Sequence, residues 1–177
     1  MATIGDQIGP WTLREKLGRG GNATVWRASR DGGEDVALKV IEATKTQLEP
    51  YRRFVQEIEF LQGLGDFPGV LPLVEAHLPE RPSSADRPWL AMPIATPIAA
   101  ALSDAPLETV VTALAEIAAT LARLAERGVG HRDIKPGNLY QLDGYRLIGD
   151  FGLVGVPVRN VSPAANGQTQ NLVLTGS

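Results

Sequence analysis

Two residues of opposite charge and one glycine-rich run are the first candidates for chemistry in this chain. Lys39 lies in Asp35–Ile41, where a period of two sets Val36, Leu38 and Val40 on one face and Ala37, Lys39 and Ile41 on the other. The ammonium therefore shares its face with small and apolar neighbours. Glu57 follows eighteen positions later, inside Pro50–Leu64, where Tyr51, Phe54, Ile58, Leu61 and Leu64 recur at helical spacing. It sits three residues after Phe54 and four before Leu61, on the margin of the apolar stripe, and a carboxylate at a buried margin needs a partner. An ion pair between strand and helix would aim the Lys39 ammonium at phosphate oxygens. Glu59 lies on the polar face with Arg52 and Gln56 and is the weaker partner; two unrelated surface charges are the plain alternative. The run Leu17-Gly18-Arg19-Gly20-Gly21-Asn22-Ala23-Thr24-Val25 lies between two predicted strands. Glycine lets the backbone approach a polyanion closely and present N–H groups to it. By itself the run is equally a glycine-rich hairpin turn. A dinucleotide-binding fold is disfavoured, because its glycine motif opens a helix and here a strand follows.

Two further runs decide between these readings: His131-Arg132-Asp133-Ile134-Lys135-Pro136-Gly137-Asn138 and Asp150-Phe151-Gly152. The first resembles the catalytic loop of protein kinases. With the glycine-rich run, Ala37-Leu38-Lys39 and the Asp-Phe-Gly triplet, it reproduces that family's signatures in their order along the chain. The resemblance extends from about Trp11 to Ser177. It implies an α+β, protein-kinase-like fold: a five-stranded antiparallel N-lobe sheet with one helix, plus a partial helical C-lobe. Residues 1–10 would be an extension, 11–95 the N-lobe and 96–177 the partial C-lobe.

The resemblance also implies a reaction when the domain is complete, transfer of the γ-phosphoryl of Mg·ATP to Ser/Thr hydroxyls of a protein substrate; the alternative is a non-catalytic kinase fragment that binds nucleotide or a partner. Asp133 would accept the hydroxyl proton and Lys135 would face the transferring phosphate. Lys39, held by Glu57, would grip the α/β-phosphates, while Asn138 and Asp150 would hold Mg²⁺. Lys at position 135 is similar to the Ser/Thr kinases; tyrosine kinases differ there, and small-molecule phosphotransferases of related fold usually lack it. His131 is expected to be scaffold. The ATP pocket would draw Leu17, Gly18, Gly20, Ala23, Val25 and Ala37 from the first strands, with Met92 as gatekeeper. Pro93 to Ala95 would form the hinge, with Ile94 meeting the adenine edge and Leu139 as a further apolar wall. Taken singly, each of these apolar residues could equally be core of a small sheet. Ala23 stands where the third loop glycine is expected, which weakens the phosphate grip at worst. The Lys, catalytic Asp, metal Asn and metal Asp are all present, against a degraded pseudokinase. Arg132 points to control by activation-loop phosphorylation, with Ser162, Thr169 and Thr175 as candidate acceptors.

The elements that must position these groups read as follows. Strands are predicted over Trp11–Leu17, Ala23–Ala28 and Asp35–Ile41, then Val70–His77 and Trp89–Ile94 around a polar Pro/Ser-rich loop. Leu107, Val110, Val111, Leu114, Ile117, Ala118, Leu121 and Leu124 give a long amphipathic helix, opened by Pro106 and closed by Gly128. A hairpin about Asp143-Gly144 joins Leu139–Leu142 to Tyr145–Ile148, and a polar tail runs from Asn160 to Ser177. Thr175-Gly176-Ser177 resembles the start of the segment before the family's Ala-Pro-Glu motif. The helices that follow it in the family would cover the long helix, so its stripe is expected to face water, favouring fragility and self-association through the uncovered C-lobe face.

Composition narrows the rest. The 177 residues carry 17 Lys+Arg against 20 Asp+Glu, a net charge of -3, and no Lys/Arg cluster that would mark a nucleic-acid or anionic-membrane partner. No cysteine and only two histidines disfavour disulfides and zinc. No apolar stretch is long enough to span a bilayer and no secretory leader is recognisable, so a soluble, cytoplasmic chain is expected.

Overall fold

The computed structural model describes residues 2–20, 23–41 and 48–154. The candidate acceptors Ser162, Thr169 and Thr175 and the tail from Asn160 lie outside the described residues. The first half is an antiparallel sheet ordered β1-β2-β3-β4-β6-β5: β1 Gln7–Ile8, β2 Trp11–Arg19, β3 Ala23–Ser29, β4 Val36–Ile41, β5 Glu75–His77 and β6 Trp89–Pro93. Five strands were expected. The sixth is the two-residue β1, in which Gln7 and Ile8 of the expected extension pair with Thr12 and Trp11 of β2.

β4 is the middle of this lobe, and its alternation divides it. Val36, Leu38 and Val40 join Trp11, Leu13, Trp26, Ala28, Trp89 and Ala91 in one cluster. Ile41, on the other face, packs with Phe54 and Ile58 of helix α1 (Glu49–Leu64) and with Leu90 and Met92 of β6. Pro50 occupies the first turn of α1, where a missing N–H costs nothing, and Gly65 ends the helix at φ +63. Register shifts between Leu13/Glu15 and Lys16/Gly18 bulge β2 where it enters the glycine-rich run.

The predicted strand from Val70 is shorter than expected. Only Glu75–His77 pairs with β6, because Val70 instead forms a parallel bridge to Ile148 in the second half of the molecule. That half holds β7 (Thr96–Pro97), the short α2 (Ile98–Ala101), α3 (Leu107–Glu126), a 3-10 turn at Pro136–Asn138, and the hairpin β8 (Leu139–Leu142) and β9 (Tyr145–Ile148). β7, β8 and β9 form a three-stranded sheet. α3 buries Ala113, Ile117, Thr120 and Leu124 against a core containing Leu61, Phe67, Val70, Ile98, Leu139, Ile148 and Phe151. Leu107, Val111 and Leu114 of the expected stripe are exposed.

Candidate active site

The sheet register gathers the first set of candidates. Val25 and Leu90 lie directly opposite Lys39, and Met92 opposite Ala37, so Val25, Ala37, Lys39 and Met92 share one face. Leu17 is exposed on β2, and Ile94 is half-buried just past the end of β6. Gly18 pairs with Val25, and Gly20 N–H donates to the Ala23 carbonyl at 2.9 Å, closing the turn.

Lys39 and Glu57 meet as expected. Lys39 Nζ donates to both Glu57 carboxylate oxygens, at 2.9 and 2.7 Å, and to Asp150 Oδ1 at 3.1 Å. The side chains of Lys39 and Glu57 are 15% and 3% exposed, whereas Asp150 keeps 42%. Glu59 points to solvent. Burial by itself lowers the Lys39 pKa, but Glu57 and Asp150 together outweigh it and hold the ammonium above its ordinary value. Burial raises the Glu57 carboxyl and Asp150 adds to this, while Lys39 draws it back. The bidentate geometry is that of an ionised pair.

The second set comes from the loop after α3. His131 is buried; its Nε2–H donates to the Gly149 carbonyl at 3.0 Å, and its Nδ1 accepts the Asp133 N–H at 3.3 Å. The proton therefore sits on Nε2, and the imidazole is a brace between two backbone segments. Asn138 Nδ2 donates to the Asp133 carbonyl at 2.8 Å and to Asp133 Oδ2 at 3.0 Å, and Lys135 Nζ donates to the same Oδ2 at 2.6 Å. These contacts, Lys135 first, hold the Asp133 carboxyl below its ordinary value, so it is a carboxylate at neutral pH.

Asp150 is delivered by β9. Gly149 is fixed at both ends, its N–H on the Asn138 carbonyl at 2.9 Å and its carbonyl on His131. Phe151 is buried between the His131 ring, 4.7 Å away edge-on, and the stacked Phe60 ring of α1 at 4.9 Å. Asp150 has φ +60 and Arg132 φ +64, left-handed backbone that non-glycine residues rarely adopt; such strain gathers where surrounding structure over-determines a functional group.

A cleft of 230 Å³ collects these groups: Lys39, Glu57, Asp133 and Asp150 line it with Gly20 and Ala23 from the glycine-rich turn. A larger cavity of 560 Å³ lies between residues 66–72, α3 and the β8–β9 hairpin, and contains none of them. Among the described residues no three His, Asp or Glu side chains converge to hold an ion unaided. A cation such as Mg²⁺ keeps much of its shell as water and phosphate and takes one or two protein oxygens. Asp150 supplies an exposed carboxylate, and Asn138, with its Nδ2 turned to Asp133, has its amide oxygen on the other side.

One placement departs from expectation. Leu139 is buried in the lower core with Ile98 and Ile148 rather than on the Met92 face. Its neighbour Tyr140 projects to the opposite face of β8 and packs against the cluster containing Met92, its hydroxyl donating to the Gly137 carbonyl at 3.1 Å. Burial raises the Tyr140 phenol pKa, with Asp150 contributing in the same direction. The period of two in β8 sets Leu139 and Tyr140 on opposite faces without telling which one meets Met92. Arg53, one helical turn before Glu57, also lines the cleft and was not anticipated.

Known proteins carry the same sequence pattern. The protein kinase domain family model matches residues 11–175. The chain is 37% identical over 177 residues to the DNA damage-responsive serine/threonine-protein kinase RqkA of Deinococcus radiodurans, covering 95% of this chain and 24% of that protein. It is 34% identical over 154 residues to the probable serine/threonine-protein kinase PkwA of Thermomonospora curvata, covering 83% and 20%. The chain thus spans about a quarter or less of the length of these relatives. Two crystal structures of the PknI kinase domain of Mycobacterium tuberculosis share the fold, with TM-scores of 0.65 and 0.64 at 24% and 21% identity. Each match covers 86% of this chain, and 63% and 62% of those chains. No helix among the described residues is long and apolar enough to cross a membrane. With a match over nearly all of its length and relatives named as serine/threonine kinases, the chain belongs to the protein kinase domain family.

Proposed function

We propose that this chain carries the ATP- and Mg²⁺-binding part of a Ser/Thr protein kinase catalytic domain, with 11–95 as the N-lobe and 96–177 as part of the C-lobe. The observation that carries the reading is the bridge from Lys39 Nζ to Glu57 and Asp150, in a cleft that Asp133 also lines. Mg·ATP would supply the γ-phosphoryl, and its divalent cation would neutralise the phosphate oxygens so that a hydroxyl can attack the γ-phosphorus. The chain's own residues orient and neutralise. Asp150 and Asn138 would hold the metal, and Lys39, with Glu57 behind it, presents a fixed cation to phosphate oxygens. Val25, Ala37 and Met92 line the base, with Leu17 over it and Ile94 at its edge; Gly18, Gly20 and Ala23 face the phosphates. Asp133 accepts the proton of the substrate hydroxyl, and Lys135, 2.6 Å from it, faces the transferring group. The acceptor is a protein Ser or Thr, and the site works in the cytoplasm, where ATP is held. The exposed Leu107, Val111 and Leu114 favour contact with another apolar surface, including a second copy of the chain.

Thermal unfolding of the 177-residue chain with and without Mg·ATP tests this reading. At about 100 times Kd a ligand of the native state adds roughly 2.7 kcal/mol. For a chain of this size that raises the melting temperature by several degrees. Lys39→Ala and Asp150→Ala are expected to lose the shift. A cooperative melt indifferent to Mg·ATP overturns the assignment.

A further inference from the structure

The segment joining α1 to β5 is clasped to the second half of the molecule. Ile148 N–H donates to the Gly69 carbonyl and Leu71 N–H to the Ile148 carbonyl, both at 2.9 Å. Arg123 Nη2 donates to the Pro68 carbonyl at 3.1 Å, and the Arg127 guanidinium lies 4.8 Å over the Phe67 ring. The closest approach is Gly69 to Thr120 of α3. Gly69 has φ +88, and a Cβ there would overlap Thr120 Oγ1 and stand 2.8 Å from its Cγ2. Thr120 is held in place by its partners: it is buried, its hydroxyl donates to the Glu116 carbonyl at 3.1 Å and accepts from Arg123 Nη2 at 3.0 Å. Thr120 is the one polar residue among the buried residues of α3, and these contacts account for it and for the glycine it meets.

The position of the clasp gives it a consequence. On one side it follows directly on α1, which carries Glu57. On the other it grips Ile148, two residues before Asp150. Glu57 and Asp150 are the two carboxylates that Lys39 bridges. We propose that Gly69, Thr120 and Arg123 are positioning residues that set the separation of Glu57 from Asp150 and so place the Lys39 ammonium between them. The proposal deepens the phosphate-site reading above and rests on it for its meaning in catalysis.

The test uses Gly69→Ala, which forces the loop from α3, and the pair Gly69→Ala/Thr120→Ala, which removes Oγ1 and Cγ2 and reopens the space. Amide hydrogen exchange in the full chain is read at two reporters outside the clasp. These are Gly65, whose N–H bonds the Leu61 carbonyl at the end of α1, and Gly149, whose N–H bonds the Asn138 carbonyl. Exchange is expected to quicken at both in Gly69→Ala, with β2–β4 unchanged, and to recover in part in the double variant. In parallel, the gain in ATP affinity on adding Mg²⁺ is expected to fall about tenfold, a loss of the order that small misplacement of reacting groups produces. Metal-free ATP affinity should fall too, by less, since Lys39 meets the phosphates with or without the metal. Acceleration confined to 67–71, or spread evenly over the chain, overturns the proposal, as does a double variant no better than the single. If the parent binds no nucleotide, the kinase reading fails while the exchange result still judges the clasp. Should Gly69→Ala not fold, Arg123→Gln, which removes the guanidinium that holds both the Pro68 carbonyl and Thr120 Oγ1, is expected to quicken the same two reporters, and no change there refutes the idea.

Discussion

Replacing Lys39 by Met should destabilise the fold more than replacing Glu57 by Gln, although both break the same pair. Lys39→Met leaves Glu57, 3% exposed, with no cation and with Asp150 as its charged neighbour. Stripping one partner from a buried pair costs about 3–5 kcal/mol. At about 2–4 °C per kcal/mol for a chain of this length, the melting temperature falls by roughly 6–20 °C. Glu57→Gln is milder, about 1–3 kcal/mol, because Lys39 retains Asp150 at 3.1 Å. The double change Lys39→Met/Glu57→Leu removes both charges and should return to within about 1 kcal/mol of the parent. pH separates this account from a packing effect. In Lys39→Met the ammonium that drew Glu57 down is gone, so its folded pKa lies further above the ordinary 4.5. The folded state then holds a proton that the unfolded chain releases, and the variant loses stability as pH rises from the unfolded value through the folded one. Its deficit against the parent therefore shrinks towards acid pH. Urea unfolding of the four proteins between acid and neutral pH makes the measurement. Equal single losses, simple additivity and a deficit independent of pH would refute the reasoning.

Four other outcomes follow from the same geometry. Asp133→Asn should leave urea unfolding nearly unchanged but slow phosphotransfer to a Ser/Thr peptide by about 100-fold or more, measured in the complete domain. Because the Lys135 hydrogen bond is the main cause of the low Asp133 pKa, Lys135→Met should move the acid limb of the rate profile to higher pH; an unmoved limb contradicts the assignment. Phe151→Ala should cost about 3–5 kcal/mol in urea, since it empties the space between His131 and Phe60. Leu114→Glu on the exposed face of α3 should leave stability within about 0.5 kcal/mol while reducing any self-association seen by sedimentation.

Where local pattern and tertiary partner agree, the sequence reading holds closely. α1 begins one residue from its predicted start and ends where expected, and the choice of Glu57 over Glu59 follows from the 3.6-residue period alone. The hairpin bounds were legible because Asp143-Gly144 supplies positive φ at the turn, +49 and +85. β1, β7 and α2 are too short to carry a period. Val70 looks like strand but pairs with Ile148, a partner no local window contains. On α3 the apolar stripe is expected to face water, and the helix divides it: Leu107, Val111 and Leu114 are exposed, while Ile117 and Leu124 are buried together with Ala113 and Thr120. Thr120 meets Gly69 at close range, a contact that hydrophobicity does not report. Leu139 lies on the other side of β8 from the one expected, because alternation separates it from Tyr140 but does not say which of the two faces Met92.

The alternation of β4 also bears on how this protein can change over time. The cluster built on Val36, Leu38 and Val40 contains three tryptophans and shares no side chain with the cluster on which Ile41 rests. Mutations can accumulate on the tryptophan side, raising or lowering tolerance to heat, while Lys39 one position away keeps its partners. Lys39 and Ile41 have no such latitude, since both line the cleft. A lineage can thus adapt its durability and its chemistry at alternate positions of a single strand.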